Sequence, residues 1–97
     1  MAEPLTAEQI ESALNDLPGW SYADDKLQKR FEFGSFKEAM SFLVRVGFEA
    51  EAMGHHPELF NVYSKVDIAL NTHDAGGKVT ELDVRLAKAI ESFAWRD

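Results

Sequence analysis

The chain has 97 residues, 45% of them hydrophobic and 28% charged, which is an ordinary composition for a globular protein. This length predicts a single domain over residues 1–97, and the formal net charge of −7 argues against binding to nucleic acid or to anionic membrane surfaces. There is no cysteine, no run of transmembrane length and no signal-peptide pattern in the acidic N-terminal segment, so we expect a cytoplasmic protein without disulfides or thiolate metal sites.

The first third of the chain predicts a short helix followed by a β-hairpin. Thr6 begins a capping-box pattern, and apolar residues then recur at helical spacing until Pro18-Gly19 ends the helix. Residues 20–23 and 26–33 predict two strands joined by a turn at Asp24-Asp25. One lysine on the apolar face of the second strand interrupts its strict alternation.

A longer amphipathic helix is predicted over residues 36–53. Ser35 and Glu38 form a second capping-box pattern, and apolar residues then recur at steps of three and four. Gly54 suits the C-cap of this helix. Pro57 disfavours the helical conformation for the residue before it, so the chain should continue in an extended form.

Two further strands and a final helix complete the predicted elements. Residues 59–63 and 65–72 predict strands joined by a tight turn near Ser64, residues 75–78 predict a flexible loop, and Thr80 is the expected N-cap of the last helix. The simplest fold for this order is α+β. In it, a four-stranded antiparallel sheet carries the helices on one face, as a two-layer sandwich.

All three histidines lie in two short segments at which a helix or a strand should end. His55 and His56 follow the long helix, and His73 follows the fourth strand. Glu51 lies one helical turn before His55, and Asp74 is adjacent to His73, so either carboxylate could orient an imidazole. Because histidine exchanges protons near neutral pH, these segments predict an acid–base site without a metal, which suits a dehydration.

Other interpretations of these residues remain open at this point. His55, His56 and His73 with a carboxylate could form a metal site, although adjacent histidines chelate poorly and no H-E-x-x-H motif occurs. The histidines could also simply terminate a helix and a strand. Trp20 could be a wall of a binding site, although burial in the core is the commoner role of tryptophan.

The run from Glu51 to Val66, with its His-His-Pro and Phe-Asn-Val-Tyr segments, followed by Thr72-His73-Asp74, resembles the pterin-4a-carbinolamine dehydratases. The resemblance covers nearly the whole chain. It implies an α+β sandwich with a four-stranded antiparallel sheet. It also implies conversion of 4a-hydroxytetrahydropterin to quinonoid dihydropterin and water, without a metal or another cofactor. Aromatic amino-acid hydroxylases supply this substrate, so the chain would serve tetrahydrobiopterin recycling.

The resemblance also assigns site residues. It implies catalytic roles for His55, His56 and His73, and we expect His55 and His73 to be the acid–base pair while His56 binds and orients the substrate. The implied substrate contacts are Glu51, Gly54, Asn71, Thr72, Asp74 and Trp20. Gly54 stands where many members have Asp or Asn, and Leu59 where many have Trp, so these two departures concern substrate affinity more than reaction type.

The resemblance implies protein partners as well as a pterin. We expect a homodimer or a homotetramer, because a chain this short gains stability from association. Vertebrate members also act as dimerisation cofactors for a homeodomain transcription factor, through a helix-bundle interface. The alternative function is therefore a protein-binding module that uses the helix over residues 36–53, although the same helix could equally form a homo-oligomer.

Overall fold

The computed structural model describes residues 2–95 as three α-helices and four β-strands in the predicted order. The elements are α1 (Ala7–Leu14), β1 (Ser21–Ala23), β2 (Lys26–Glu32), α2 (Phe36–Met53), β3 (Glu58–Val62), β4 (Lys65–Leu70) and α3 (Glu81–Phe93). All neighbouring strands are antiparallel, in the order β1-β2-β4-β3. The predicted α+β fold is confirmed.

The core lies between one face of the sheet and the inner faces of the helices. Every second residue of β4 is buried, as expected of a strand with one covered face: Val66, Ile68 and Leu70. Phe42 of α2 is fully buried, and its ring lies 4.8 Å from that of Phe31 and 4.9 Å from that of Phe33, between ring centroids. No helix within residues 2–95 is long and apolar enough to cross a membrane.

Lys29, the residue that interrupts the alternation of β2, lies on the covered face of the sheet. Its Nζ donates to Glu91 Oε2 at 2.6 Å and to the Pro18 carbonyl at 2.9 Å. Trp20 Nε1 donates to the same Glu91 oxygen at 2.9 Å. Because the buried ammonium is paired, the lysine is tolerated at an inward position, and the strand continues through it.

The caps of α2 differ in part from the sequence-based prediction. Ser35 accepts a hydrogen bond from the Glu38 N–H, as predicted, but the reciprocal half of the capping box is absent. The Glu38 carboxylate instead accepts from Trp95 Nε1 at 3.2 Å. At the other end Gly54 caps the helix in the left-handed region, with φ of 63°.

The segment after β4 is a closed turn. β4 ends at Leu70 instead of residue 72, and Thr72 pairs with Lys78 across the segment. Between them His73–Ala75 forms a 3-10 helix, and Asn71 Nδ2 donates to the Gly77 carbonyl at 3.2 Å. The predicted loop therefore returns the chain tightly to α3.

Gly47 and Gly54, within and at the end of α2, allow the effect of backbone conformation on stability to be separated from the effect of steric space. A Cβ added at Gly47, inside α2, or at Gly54 would meet no atom within 4 Å, but only Gly54 has a positive φ. Gly54→Ala should therefore lower the free energy of unfolding by about 1 kcal/mol, whereas Gly47→Ala should raise it by about 0.5–1 kcal/mol. Gly54→Asn should cost less than Gly54→Ala, because asparagine tolerates the left-handed region. Urea denaturation of the three variants checks this, and equal signs for the two alanine variants would contradict it.

Candidate active site

The end of α2 determines where His55 lies. After Gly54 reverses the chain, the His55 N–H donates to the Ala50 carbonyl at 3.1 Å. The residue is only 7% exposed. Pro57 then leads the chain into β3, so a short local motif places one histidine in the interior next to a solvent-facing neighbour.

Asp83, in the first turn of α3, is the side-chain partner of His55. The distance between His55 Nε2 and Asp83 Oδ1 is 2.6 Å, and Asp83 is fully buried. The other carboxylate oxygen, Oδ2, accepts from the Thr80 N–H and from Thr72 Oγ1, both at 2.8 Å. Thr72 and Thr80 also share a hydrogen bond of 2.6 Å between their hydroxyl groups. This network joins the end of α2, the end of β4 and the start of α3.

The Asp83 carboxylate fixes the orientation of the His55 ring. A carboxylate only accepts hydrogen bonds, so an ionised Asp83 requires the proton of this pair to lie on Nε2 of His55. The other nitrogen, Nδ1, makes no hydrogen bond to any residue within 2–95, so it is the atom left to meet a ligand. A carboxylate that holds one imidazole nitrogen in this way sets the tautomer at the other.

Glu51 does not orient His55, contrary to the expectation from its spacing. Its Oε1 lies 2.7 Å from Nε2 of His56, and both side chains are exposed. The reason is that consecutive side chains diverge in an extended chain: His55 turns inward, while His56 remains on the exposed side with the last turn of α2. The Glu51–His56 pair therefore contributes little to stability, but it is open to a ligand.

His73 begins the 3-10 helix and is exposed. Within residues 2–95 neither His73 nor Asp74 makes a side-chain hydrogen bond, so the expected pair between them is not formed. The preceding residue, Thr72, donates to Asp83, which also binds His55. One carboxylate therefore positions both the His55 ring and the backbone immediately before His73.

Trp20 lies in the core, with its ring edge-on to Phe31 at 6.1 Å between centroids. Its Nε1 is bonded to Glu91, and among the described residues no hydrogen bond joins it to a histidine. The substrate contact implied for Trp20 stays a prediction.

Asp83 is the site residue that the sequence analysis did not identify. The pattern was nevertheless visible, because Asp83 stands three, four and seven residues before Leu86, Ala87 and Ile90, all of which are buried. This spacing puts the acid on the inward face of α3. A carboxylate there requires a hydrogen-bonding partner from elsewhere in the fold.

The histidines are not arranged as the ligands of one metal ion. Across residues 2–95, no three His, Asp or Glu side chains form a group that could hold a metal. Nε2 of His55 and Nε2 of His56 are instead directed to two different carboxylates, those of Asp83 and Glu51.

Comparison with known proteins identifies the family. The family model of pterin 4 alpha carbinolamine dehydratase matches residues 3–93. The chain belongs to this family. A relative from Opitutus terrae is 55% identical over 91 residues, which cover 94% of each chain. One from Rhizobium johnstonii is 49% identical over 96 residues, covering 97% of this chain and 94% of the relative. Both carry pterin-4-alpha-carbinolamine dehydratase as a provisional name.

Two solved structures are similar to this dehydratase-family fold. A transcriptional coactivator/pterin dehydratase from Brucella melitensis matches with a TM-score of 0.90 and 36% identity, over 95% of this chain and 99% of that chain. A pterin dehydratase-like protein identified as a RuBisCO assembly factor in the α-carboxysome matches with a TM-score of 0.64 and 25% identity, over 80% and 89%. The names within this fold thus include a pterin dehydratase, a transcriptional coactivator and a RuBisCO assembly factor.

The position of Asp83 predicts a large loss of stability on its removal. Asp83→Ala leaves the Thr72 hydroxyl, the Thr80 N–H and His55 without their common partner, so the free energy of unfolding should fall by roughly 3–5 kcal/mol. Asp74→Ala is the matched control, because Asp74 is exposed and makes no side-chain hydrogen bond within residues 2–95; its effect should stay within about 0.5 kcal/mol. Thermal or urea denaturation measures both, and similar values for the two variants would contradict the assigned network.

Proposed function

We propose that the chain dehydrates a 4a-hydroxytetrahydropterin to a quinonoid dihydropterin, with histidines as acid and base. The observation that carries the proposal is the buried His55–Asp83 pair, 2.6 Å apart, which leaves the second nitrogen of His55 for a ligand. Membership of the dehydratase family and the provisional names of the relatives support the reaction class.

The chemistry needs two proton transfers. The substrate carries a hydroxyl group on C4a and a hydrogen on N5. An acid protonates the hydroxyl as the C4a–O bond breaks, a base removes the N5 proton, and a C4a=N5 double bond forms while water leaves. Imidazole groups can supply both functions near neutral pH, so we propose that no metal or other cofactor takes part.

The three histidines differ in their surroundings, and we assign their roles accordingly. His55, with its ring held by Asp83, and His73, on the closed turn after β4, form the acid–base pair. His56, paired with Glu51 at the exposed rim, binds and orients the substrate. The other proposed substrate contacts are Gly54, Asn71, Thr72, Asp74 and Trp20. We further propose that the protein works in the cytoplasm on pterin released by aromatic amino-acid hydroxylases.

Alanine variants of the histidines test these roles. In metal-stripped protein, His55→Ala and His73→Ala should each lower the dehydration rate of enzymatically generated 4a-hydroxytetrahydropterin by about 10²–10⁴-fold. His56→Ala should mainly raise KM, because it removes a binding contact. Circular dichroism confirms that the His55 variant is folded. The assignment fails if His56→Ala loses turnover while His55→Ala keeps it, and the function fails if the wild type is no faster than buffer.

A second candidate role, protein binding, is favoured by the exposed face of α2. Four large apolar residues follow one another there at four-residue steps: Phe36, Met40, Val44 and Phe48. An apolar ridge of this kind packs against another helix, and a monomeric protein seldom leaves one uncovered.

We propose that a second copy of this chain covers this ridge, which makes the protein a homo-oligomer. An antiparallel arrangement of two α2 helices would pair Phe36 with Phe48. It would also bring Lys37, near the start of each helix, towards Glu49 and Glu51 near the end of the other, so the charges are complementary.

Sedimentation velocity at micromolar concentration tests this contact. Phe48→Asp should reduce the size of the assembly, because it buries a charge in the proposed helix contact. Ser12→Asp adds the same charge to an exposed position of α1 and should leave the assembly unchanged. An assembly of unaltered size in Phe48→Asp would show that the ridge is not the contact between copies.

A further inference from the structure

The turn that carries His73, residues 71–78, is closed by bonds within its own backbone. The Thr72 N–H donates to the Lys78 carbonyl at 2.8 Å, and the Gly77 N–H donates to the Thr72 carbonyl at 3.1 Å. His73 lies between these bonds on an exposed 3-10 helix. An exposed segment with few buried contacts opens locally at a low cost in free energy. The position of His73 therefore depends on what holds the two ends of this segment, the His73 turn.

The two ends of the His73 turn are held by different parts of the fold. At the first end the Thr72 hydroxyl donates to the buried carboxylate of Asp83 at 2.8 Å. At the other end Lys78 Nζ donates to Asp25 Oδ2 at 3.0 Å. Asp83 belongs to α3, whereas Asp25 lies in the turn between β1 and β2. The second end is therefore anchored to a hairpin that contains none of the histidines.

The register of the sheet brings this hairpin to the His73 turn. Leu27 of β2 faces Leu70, the last residue of β4. Asp24 and Asp25 precede β2, so they lie beyond the end of β4, where the His73 turn begins. The ion pair between the two turns thus follows from the pairing of β2 with β4.

The β1–β2 turn holds two aspartates in a conformation that favours glycine. Ala23 faces Lys26, so Asp24 and Asp25 form a two-residue turn, and their φ angles are 55° and 62°. Hairpin turns with two positive φ angles most often contain Asn-Gly or Asp-Gly. The backbone alone therefore favours glycine at the second position, and an aspartate there is strained.

The side chain of Asp25 makes contacts that glycine could not make. Oδ2 accepts from Lys78, and Oδ1 accepts from the Tyr22 hydroxyl at 3.1 Å, so both carboxylate oxygens are bonded. Because Tyr22 belongs to β1, its bond holds the carboxylate in place relative to the sheet. The hydrogen bond from Lys78 lowers the pKa of the Asp25 carboxyl, and the same bond raises the pKa of Lys78. The two groups therefore stay oppositely charged at neutral pH.

We propose that Asp25 is a positioning residue of the active site, because its carboxylate holds Lys78 and thereby fixes the His73 turn. An exposed ion pair changes a local equilibrium by about two- to five-fold, which is little for the whole fold but enough for a segment that opens easily. An acid or base must lie within hydrogen-bond reach of the proton it transfers, so each opening takes His73 out of action. This catalytic consequence rests on the proposed dehydratase function.

Glycine substitutions separate this role from the stability of the β1–β2 turn. Asp24→Gly and Asp25→Gly remove the same charge and relieve the same kind of backbone strain, but only Asp25→Gly removes the acceptor of Lys78. Asp24 is exposed and makes no side-chain hydrogen bond within residues 2–95, so its variant is the matched control. For the hairpin alone Asp25→Gly is the more favourable change, since it creates the preferred Asp-Gly sequence. The proposal predicts that this favourable change is the one that disturbs the site.

Amide hydrogen exchange measures the His73 turn without any reference to catalysis. In Asp25→Gly, the Gly77 N–H that donates to the Thr72 carbonyl should exchange about two- to five-fold faster than in the wild type, because the turn opens more often. Asp24→Gly should leave this rate unchanged. An unaltered rate in Asp25→Gly, or the same acceleration in both variants, overturns the proposal.

Substitutions of Lys78 test whether the two residues act through one contact. Lys78→Met removes the ammonium group and should accelerate exchange of the Gly77 N–H as Asp25→Gly does, whereas Lys78→Arg keeps a charged donor and should retain most of the protection. The double variant Asp25→Gly/Lys78→Met should match the single variants, because they remove the same ion pair. Effects that multiply in the double variant would show that the two residues act independently, and the proposal would be wrong.

Kinetics test whether the anchor acts through His73. Asp25→Gly should lower kcat/KM for dehydration about two- to five-fold, and Asp24→Gly should leave it unchanged. In a His73→Ala background Asp25→Gly should cause no further loss, since the residue that it positions is already absent. Full activity of Asp25→Gly, or an undiminished loss in that background, overturns the positioning role. If the wild type does not dehydrate the pterin while exchange responds as predicted, the dehydratase function fails and the anchoring of the turn stands.

Discussion

The hydrogen bond between His55 and Asp83 is the interaction on which the site depends. The four buried polar residues among those described are His55, Thr72, Thr80 and Asp83, and all of them belong to one network. Burying a carboxylate is unfavourable unless its oxygens are paired, and a well-packed apolar cluster would stabilise a small fold at least as well. A polar network at this position is therefore better explained by the proton chemistry that we propose for His55 than by stability.

Local sequence was sufficient to predict the helices and strands, but not the hydrogen-bond partners that come from distant parts of the chain. The cap at Thr80, the left-handed Gly54 and the alternation of β4 are determined by residues close in sequence, so they could be read directly. The partner of His55 is 28 positions away, and the nearer acid, Glu51, binds His56. Lys29 is a similar case, because only the packed structure brings Glu91 to its ammonium. Which carboxylate meets which base depends on how helices cross the sheet, and spacing along the chain does not contain that information.

The distribution of exposed surface separates the polar from the apolar parts of the molecule. On the open face of the sheet, Arg30 and Asp67 form two hydrogen bonds of 2.7 and 3.1 Å across neighbouring strands, and the hydrogen bond from Arg30 lowers the pKa of the Asp67 carboxyl. The charged side chains of Arg30 and Asp67 on that face are therefore paired with each other. Large exposed apolar residues lie mainly on α2 and along β3, and those on α2 form the ridge that we propose for contact between copies.

The most direct test of the account is the protonation pattern of His55, read by ¹⁵N NMR in a chain with only three histidines. The account predicts that neutral His55 carries its proton on Nε2, with Nδ1 free, and that Asp83→Asn disturbs this preference while His56 and His73 keep their signals. A proton on Nδ1 of His55 in the wild type, or a His55 spectrum that does not respond to Asp83→Asn, would contradict the claim that this carboxylate prepares the histidine for proton transfer.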